Sequence, residues 1–510
     1  MTGTPRGVGP RVRRIAPYLY LFVVAILVTG VHMAKYTVFS PIDELRHVDY
    51  AMRVTKGHFP ILGDKLIQES MREEACRGVD SPSADPPCRT KVFDPRAFRD
   101  DGWQTATAHP PTYYLGAGLF ARTAKAVGIS DSFIDPARAF SALLLAAGLM
   151  VAFAAGRAAG VRASPLLAAL TLLPVFPAVL HAHSTVNPDA TAILAGAIVM
   201  LVGLGWERGR LPLWTLALAG AFATGTKYTS LLAVLLMTAV FVVRAEPIEL
   251  WGTWRDARRA RRSGADAAET DPGTVERTVT DPATVGRVGS GETDASSVSV
   301  AAAVAVAVTT VVDADVDPPG VRSRIDYVKA AAVLLGAALV VALAWMTIDR
   351  MRAVIDPSIV PQNQALAANG IPPLETFISP GQLFAWLPPW NSYDPARYVT
   401  AYVQDVRILA VYLYAGAVLM AALRINRRDR ISMFGGFGVA ASVIGAPAFI
   451  AFTVVVSDVV IDAPARYGMS LLPFMAAVVA SFVKNRVGGA LLWVFALTSY
   501  SVVVGTWLVR

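Results

Sequence analysis

A chain of 510 residues that is 54% hydrophobic and only 16% charged, with a mean hydropathy of +0.48, does not read as a soluble protein; soluble chains carry about a quarter charged residues. Apolar runs of roughly 20 residues, separated by basic clusters, predict an all-α polytopic membrane protein. The net charge of +8 calls for no nucleic-acid partner, because Arg and Lys gather in short connections where orientation signals belong.

Arg6, Arg11, Arg13 and Arg14 precede the first apolar run, 15–34, which predicts a cytoplasmic N-terminus. That run is long and carries no small-residue cleavage site, so no removable leader is expected. The following segment, 35–112, then faces outside. It opens with Asp43, Glu44, Arg46, His47 and Asp49. Ionisable groups this dense beside hydrocarbon line a wet cavity or site, or simply solvate a helix end. Leu45, Val48, Ala51 and Met52 recur at helical spacing opposite Arg46, Asp49 and Arg53, predicting an amphipathic juxtamembrane helix that Gly57 and Pro60 end. Cys76 and Cys88 share this segment: an extracytoplasmic location favours a disulfide, and two lone thiols are the alternative. His109-Pro110-Pro111 opens a further apolar helix to 127, too short to span and expected at the interface.

Spans follow at 137–157, 165–181, 188–206, 211–225 and 228–243, the last two joined at Thr226-Lys227 almost without a loop. A basic run at 255–262 closes an N-terminal module, 1–262. Residues 263–327, rich in Asp, Thr, Ser, Gly and Ala, read as a disordered cytoplasmic linker that a partner could bind. The C-terminal module, 328–510, adds spans at 328–348, 406–423, 431–456, 467–482 and 488–509. Its polar outer loop, 349–404, holds a short surface or membrane-dipping helix at 381–390. The total is about 11 transmembrane helices. No internal repeat is visible, which argues against a transporter of two inverted halves.

No Gly-rich phosphate loop, serine-protease elbow or HExxH zinc motif occurs. Glu44 and His47 share the i,i+3 spacing of metal-binding bundles, but no second pair accompanies them, and no metal site is expected. The predicted topology gathers five polar elements on one side of the membrane: Asp43/Glu44, His109-Pro110-Pro111, His181/His183 with Asn187-Pro188-Asp189, Lys227, and Arg466-Tyr467. Each alone has a plain reading. Asn-Pro-Asp starts helices, Lys227 could snorkel, and Arg466 could mark topology. Their agreement on one face points to an outward-facing cavity.

In order, Pro41-Ile42-Asp43-Glu44-Leu45-Arg46-His47, His109-Pro110-Pro111-Thr112-Tyr113-Tyr114, Asn187-Pro188-Asp189-Ala190, Thr226-Lys227-Tyr228 and Ala465-Arg466-Tyr467 resemble the GT-C superfamily of membrane glycosyltransferases. The resemblance is to the bacterial branch similar to protein O-mannosyltransferases and lipid A aminoarabinose transferases. It covers the first six spans and thins to the Arg-Tyr element beyond the linker. Ile42, Leu45 and the long linker depart from the family pattern, which bears on the substrate more than on the fold.

The resemblance implies a GT-C-like fold in the plasma membrane with its active site extracytoplasmic. It also implies a polyprenyl-phosphate sugar donor, a cell-envelope acceptor (glycan, lipid or protein) and inversion at the anomeric carbon. Asp43 would be the catalytic base, with Glu44 beside it and Asp189 a second acidic site residue. Lys227 and Arg466 would meet the donor phosphate, while His47, His109, Tyr113, Asn187, Tyr228 and Tyr467 would line the substrate site. No cofactor and no obligatory metal follows, since phosphate leaves readily when positive charge faces it. Two other readings use the same residues. A flippase for lipid-linked glycans would place its ionisable groups near mid-span. A non-catalytic envelope-assembly scaffold would dock through the linker.

Overall fold

The computed structural model describes residues 10–81, 86–246, 322–352, 373–379, 383–388, 400–457 and 463–509. The basic run 255–262, nearly all of the linker 263–327, and most of the loop 349–404 with parts of its 381–390 helix lie outside the described residues. Among the described residues the protein is all-helical, 76% helix, with no strand. Among the described residues nine helices are long and apolar enough to cross a membrane, a polytopic membrane architecture.

The first of these is α1 (Pro10–Lys35). A large connection follows, carrying α2 (Glu44–Val54), α3 (Gln68–Arg77) and α4 (Thr112–Ala126). The bundle resumes with α5 (Ile134–Ala158), α6 (Ala163–Leu172), α7 (Pro177–Ser184), α8 (Ala192–Glu207), α9 (Trp214–Thr226) and α10 (Leu231–Ala245). After the linker come α11 (Arg324–Arg352), α12 (Ala401–Ala422), α13 (Arg430–Ser457), α14 (Leu472–Phe482) and α15 (Arg486–Val509).

Two of the eleven expected spans are not single straight helices of spanning length among the described residues. Pro174 and Pro177 break the third expected span, so that α6 and α7 meet at a bend of 70°; proline lacks the N–H that would continue the ladder. The fifth, α9, has only 13 residues and is too short to count as a span. It rises about 20 Å against a hydrocarbon core of about 30 Å.

Apolar residues surround α8 on every side, and its span Pro188–Glu207 is 100% buried. It is the axis of the bundle, packed by α5, α9 and α14. In α11 only 22% of the apolar window is buried, and Val340 and Leu343 stand exposed. Exposed apolar belts of this kind are what a lipid-facing ring of helices requires.

The connection between α1 and α5 folds as a cap over one end of the bundle, with its own apolar core that includes Phe39, Val48, Met52, Met71, Phe93 and Tyr114. The helix expected here, α2, forms with Leu45, Val48, Ala51 and Met52 in the core, but its polar face is not at a water interface: all its residues except Arg53 are buried. Its polar face is covered by the returning chain rather than by water. Asp49 accepts from Arg53 Nε at 2.7 Å, Ile67 N at 2.8 Å, Ser70 Oγ at 2.7 Å and Gln104 Nε2 at 2.7 Å. Four donors on one carboxylate make it a hub where a solvated charge was expected. The 15-residue α4 packs on α2 and α5 and, as expected from its length, is not among the spans.

Cys76 and Cys88 form a disulfide that ties the end of α3 to the following loop, with a Cα–Cα distance of 4.5 Å. The double variant Cys76→Ser/Cys88→Ser is expected to lower the stability of the cap by about 3 kcal/mol. Hydrogen exchange should rise across residues 67–104 and stay unchanged in α5 and α8; unchanged exchange in the cap would show that the tie is dispensable.

Candidate active site

Three interruptions of regular helix meet beneath the cap. The first lies between α7 and α8, where Pro188 starts a 3-10 turn and the Asn187 side chain accepts from Asp189 N at 2.9 Å. That local lock fixes where Asp189 points. The second is Lys227, fully extended between the end of α9 and the 3-10 turn Tyr228–Ser230. The third is the 3-10 segment Ala465–Leu471, entered from Pro464, which carries Arg466 and Tyr467. Broken backbone inside an apolar bundle is tolerated only where protein surrounds it or a cavity opens. A glycine brings the pieces together: a Cβ on Gly196 of α8 would collide with the Ser470 carbonyl oxygen. Only a residue without a side chain lets the third interruption lie on the axis helix.

The breaks bring together charges far apart in sequence. Asp189 is 1% exposed. One of its oxygens faces Lys227 Nζ, and the other accepts from Arg466 Nε at 3.0 Å. Arg466 Nη2 also approaches Asp43 Oδ2, at 4.0 Å. Lys227 and Arg466 both lie over the ring of Tyr467, 4.7 and 5.4 Å from its centroid. The aromatic face adds attraction for both cations.

Asp43 differs from Asp189 in two respects. Its carboxylate is 43% exposed, and it sits at the N-cap of α2 with φ 58° and ψ 2°. A left-handed conformation costs a non-glycine residue about 1–2 kcal/mol. An N-cap aspartate ordinarily uses its side chain to bind the helix N-terminus, and this one makes no such bond. Its carboxylate is therefore held out toward Arg466 and left open to an incoming group.

Glu44 lies elsewhere. The first residue of α2, it turns into the protein and is 1% exposed. Arg138 of α5 grips it through Nε at 2.8 Å and Nη2 at 2.7 Å, and Ser40 N and Val186 N donate at 2.8 and 2.9 Å. Arg138 also donates to the carbonyls of Tyr36 and Val38, both at 2.7 Å. With both oxygens occupied, Glu44 joins the cap to the bundle and is not directed at the Asp43 cluster.

The remaining expected residues take three positions. Tyr467 and His109 neighbour the cations, and Tyr228 follows Lys227 in the chain. The hydroxyls of Tyr228, Thr229 and Ser230 and the Nδ1 of His109 are buried without a hydrogen-bond partner. Tyr113 and Asn187 stand behind Asp189: the Tyr113 hydroxyl meets Ser141 Oγ at 2.8 Å and accepts from Asn187 N at 2.8 Å. His47 lies one layer out, its Nδ1 2.9 Å from the Tyr114 hydroxyl and its ring 5.8 Å from that of His109. Burial, reinforced by Lys227 and Arg466, pushes His109 down to about 3 despite Asp189. Burial, with His109 next, also holds His47 well below the ordinary histidine range. Both are neutral at physiological pH, so Lys227 and Arg466 carry the positive charge.

Among the described residues no group of three or more His, Cys, Asp or Glu side chains could hold a metal ion. Sequence reasoning missed Arg138 and Ser40, whose Oγ meets His181 Nε2 at 2.8 Å. Arg138 left a readable signal, a guanidinium one turn into a largely apolar 25-residue helix. Neither a scan against protein-family models nor a search of curated proteins finds a match for this chain.

Proposed function

We propose that this chain is a GT-C-type membrane glycosyltransferase that moves a sugar from a polyprenyl-phosphate donor to a hydroxyl of a cell-envelope acceptor. The single observation that carries the reading is the open Asp43 carboxylate 4.0 Å from Arg466, beside the cation pair of Arg466 and Lys227. In this reading Asp43 takes the proton of the acceptor hydroxyl as its oxygen attacks the anomeric carbon. The bond from that carbon to the donor phosphate oxygen breaks, and one displacement inverts the configuration. Lys227 and Arg466 face the charge that grows on the leaving phosphate, where fixed charges act most strongly. The unpartnered hydroxyls of Tyr228, Thr229 and Ser230 supply further donors to a phosphate. Asp189 holds the two cations in place and is a positioning residue. In this reading the cap faces the extracytoplasmic side of the plasma membrane, which suits a lipid-borne donor; the basic residues at the opposite end of the bundle, among them Arg208, Arg244 and Arg430, support that orientation.

A carrier of lipid-linked glycans is the second reading, favoured by the three helix interruptions that meet at the charged cluster. Transfer separates the two. In lipid nanodiscs loaded with labelled polyprenyl-phosphate sugars, Lys227→Ala and Arg466→Ala are each expected to weaken donor affinity by about tenfold to a hundredfold and to slow turnover. Arg466→Lys should recover part of the loss, keeping the charge without the planar fork. Unchanged donor affinity in both alanine variants would return these residues to a purely structural role.

A further inference from the structure

A cavity of about 640 Å³ opens beside the candidate active site, between the 53–64 stretch of the cap and the last turns of α11. The volume is that of an ordinary ligand site, roughly 300–1,000 Å³. None of the residues assigned to the active site lines it. We propose that it binds a neutral, polyhydroxylated ring system, the chemistry of a glycan chain, and that it is the subsite for the acceptor.

The lining gives the reasons. Phe59 and Trp345 stand at the cavity with exposed apolar neighbours such as Ile348. Aromatic faces carry negative charge, attract polarised C–H groups and so suit the face of a sugar ring. Trp345 Nε1 donates to the Ala108 carbonyl at 3.0 Å, fixing the indole against the cap. The Arg352 guanidinium donates to the Phe59 carbonyl at 2.5 Å and lies 5.5 Å from the Phe59 ring centroid.

Charge on the lining does not favour an anion. Arg53 is consumed by Asp49 Oδ2 at 2.7 Å, Asp64 Oδ2 at 3.3 Å and the Lys65 carbonyl. Arg352 remains, and Asp349 sits on the same helix face, since positions three and four apart on a helix are neighbours. Balanced charge beside two aromatic rings recognises hydroxyls better than phosphate.

The cavity also adjoins the chain that carries a candidate site residue. Trp345, on its lining, donates to the carbonyl of Ala108, the residue directly before His109, and the His109 carbonyl in turn accepts from the Tyr50 hydroxyl at 3.0 Å.

The binding itself stands apart from the transfer reading; only the word acceptor rests on it. The test uses the full chain in nanodiscs, titrated with mannotriose, arabinotriose and, for contrast, a trisaccharide phosphate. Binding is followed by calorimetry and by the fluorescence difference between wild type and Trp345→Phe. A neutral trisaccharide is expected to bind saturably. Trp345→Ala should weaken it about tenfold, Trp345→Phe should retain most of it, and donor affinity should stay unchanged in both. Because Trp345→Ala also removes the bond to Ala108, Phe59→Ala serves as a second variant that leaves that bond intact. No saturable binding of either neutral trisaccharide, or binding unaffected by both variants, overturns the proposal. So does a clear preference for the phosphate. If a glycan binds here and polyprenyl phosphate binds nowhere, the subsite stands and the transferase reading falls.

Discussion

Arg138→Ala is expected to cost the protein about 3–5 kcal/mol, at least as much as loss of the disulfide. The guanidinium is buried at the seam between α5 and the cap, with donors on both Glu44 oxygens and on two carbonyls of the chain leaving α1. Truncation would leave a carboxylate without its countercharge and would take the Arg138 donor from one buried and one half-buried carbonyl. Replacing both members, as in Arg138→Met with Glu44→Leu, removes the orphaned charge and should recover part of the loss. It cannot recover all of it, because Tyr36 O, Val38 O, Ser40 N and Val186 N still lose their partners. Thermal unfolding in detergent, with hydrogen exchange in the cap, measures both variants. Wild-type stability in Arg138→Ala would show that the pair is not what joins cap to bundle.

The largest effect on rate is expected from Asp43→Asn. The amide keeps the shape, tolerates the left-handed backbone and loses only the capacity to take a proton. Turnover should fall by about 10²–10⁴-fold, the usual contribution of a positioned base. Folding should survive, because the Asp43 side chain caps nothing and is half-exposed. Donor affinity should change little, since Asp189 is the closer countercharge for Arg466. Loss confined to turnover marks an interaction made in the transition state. Full activity of the variant with labelled donor and acceptor would remove Asp43 as base.

The sequence by itself determined the architecture in outline and the identity of the clustered charges. Long apolar runs cross a membrane whatever they pack against, and an ionisable group beside them is costly in any arrangement. Asp43, Asp189, Lys227 and Arg466 were therefore visible as exceptions before any contact was known, as were the prolines and short turns that break helices around them. What only the tertiary structure decided was who partners whom. Asp43 and Glu44 are adjacent, and composition treats them alike. The left-handed φ of Asp43 sends one carboxylate toward Arg466, while Glu44, first in the helix, turns to Arg138. The polar face of α2 is likewise buried, because Asp49 found three donors in chain that returns over it and a fourth in Arg53 of its own helix. Hydrophobic periodicity reports where apolar surface must go. It is silent on polar groups whose burial depends on hydrogen-bond partners supplied from far along the chain.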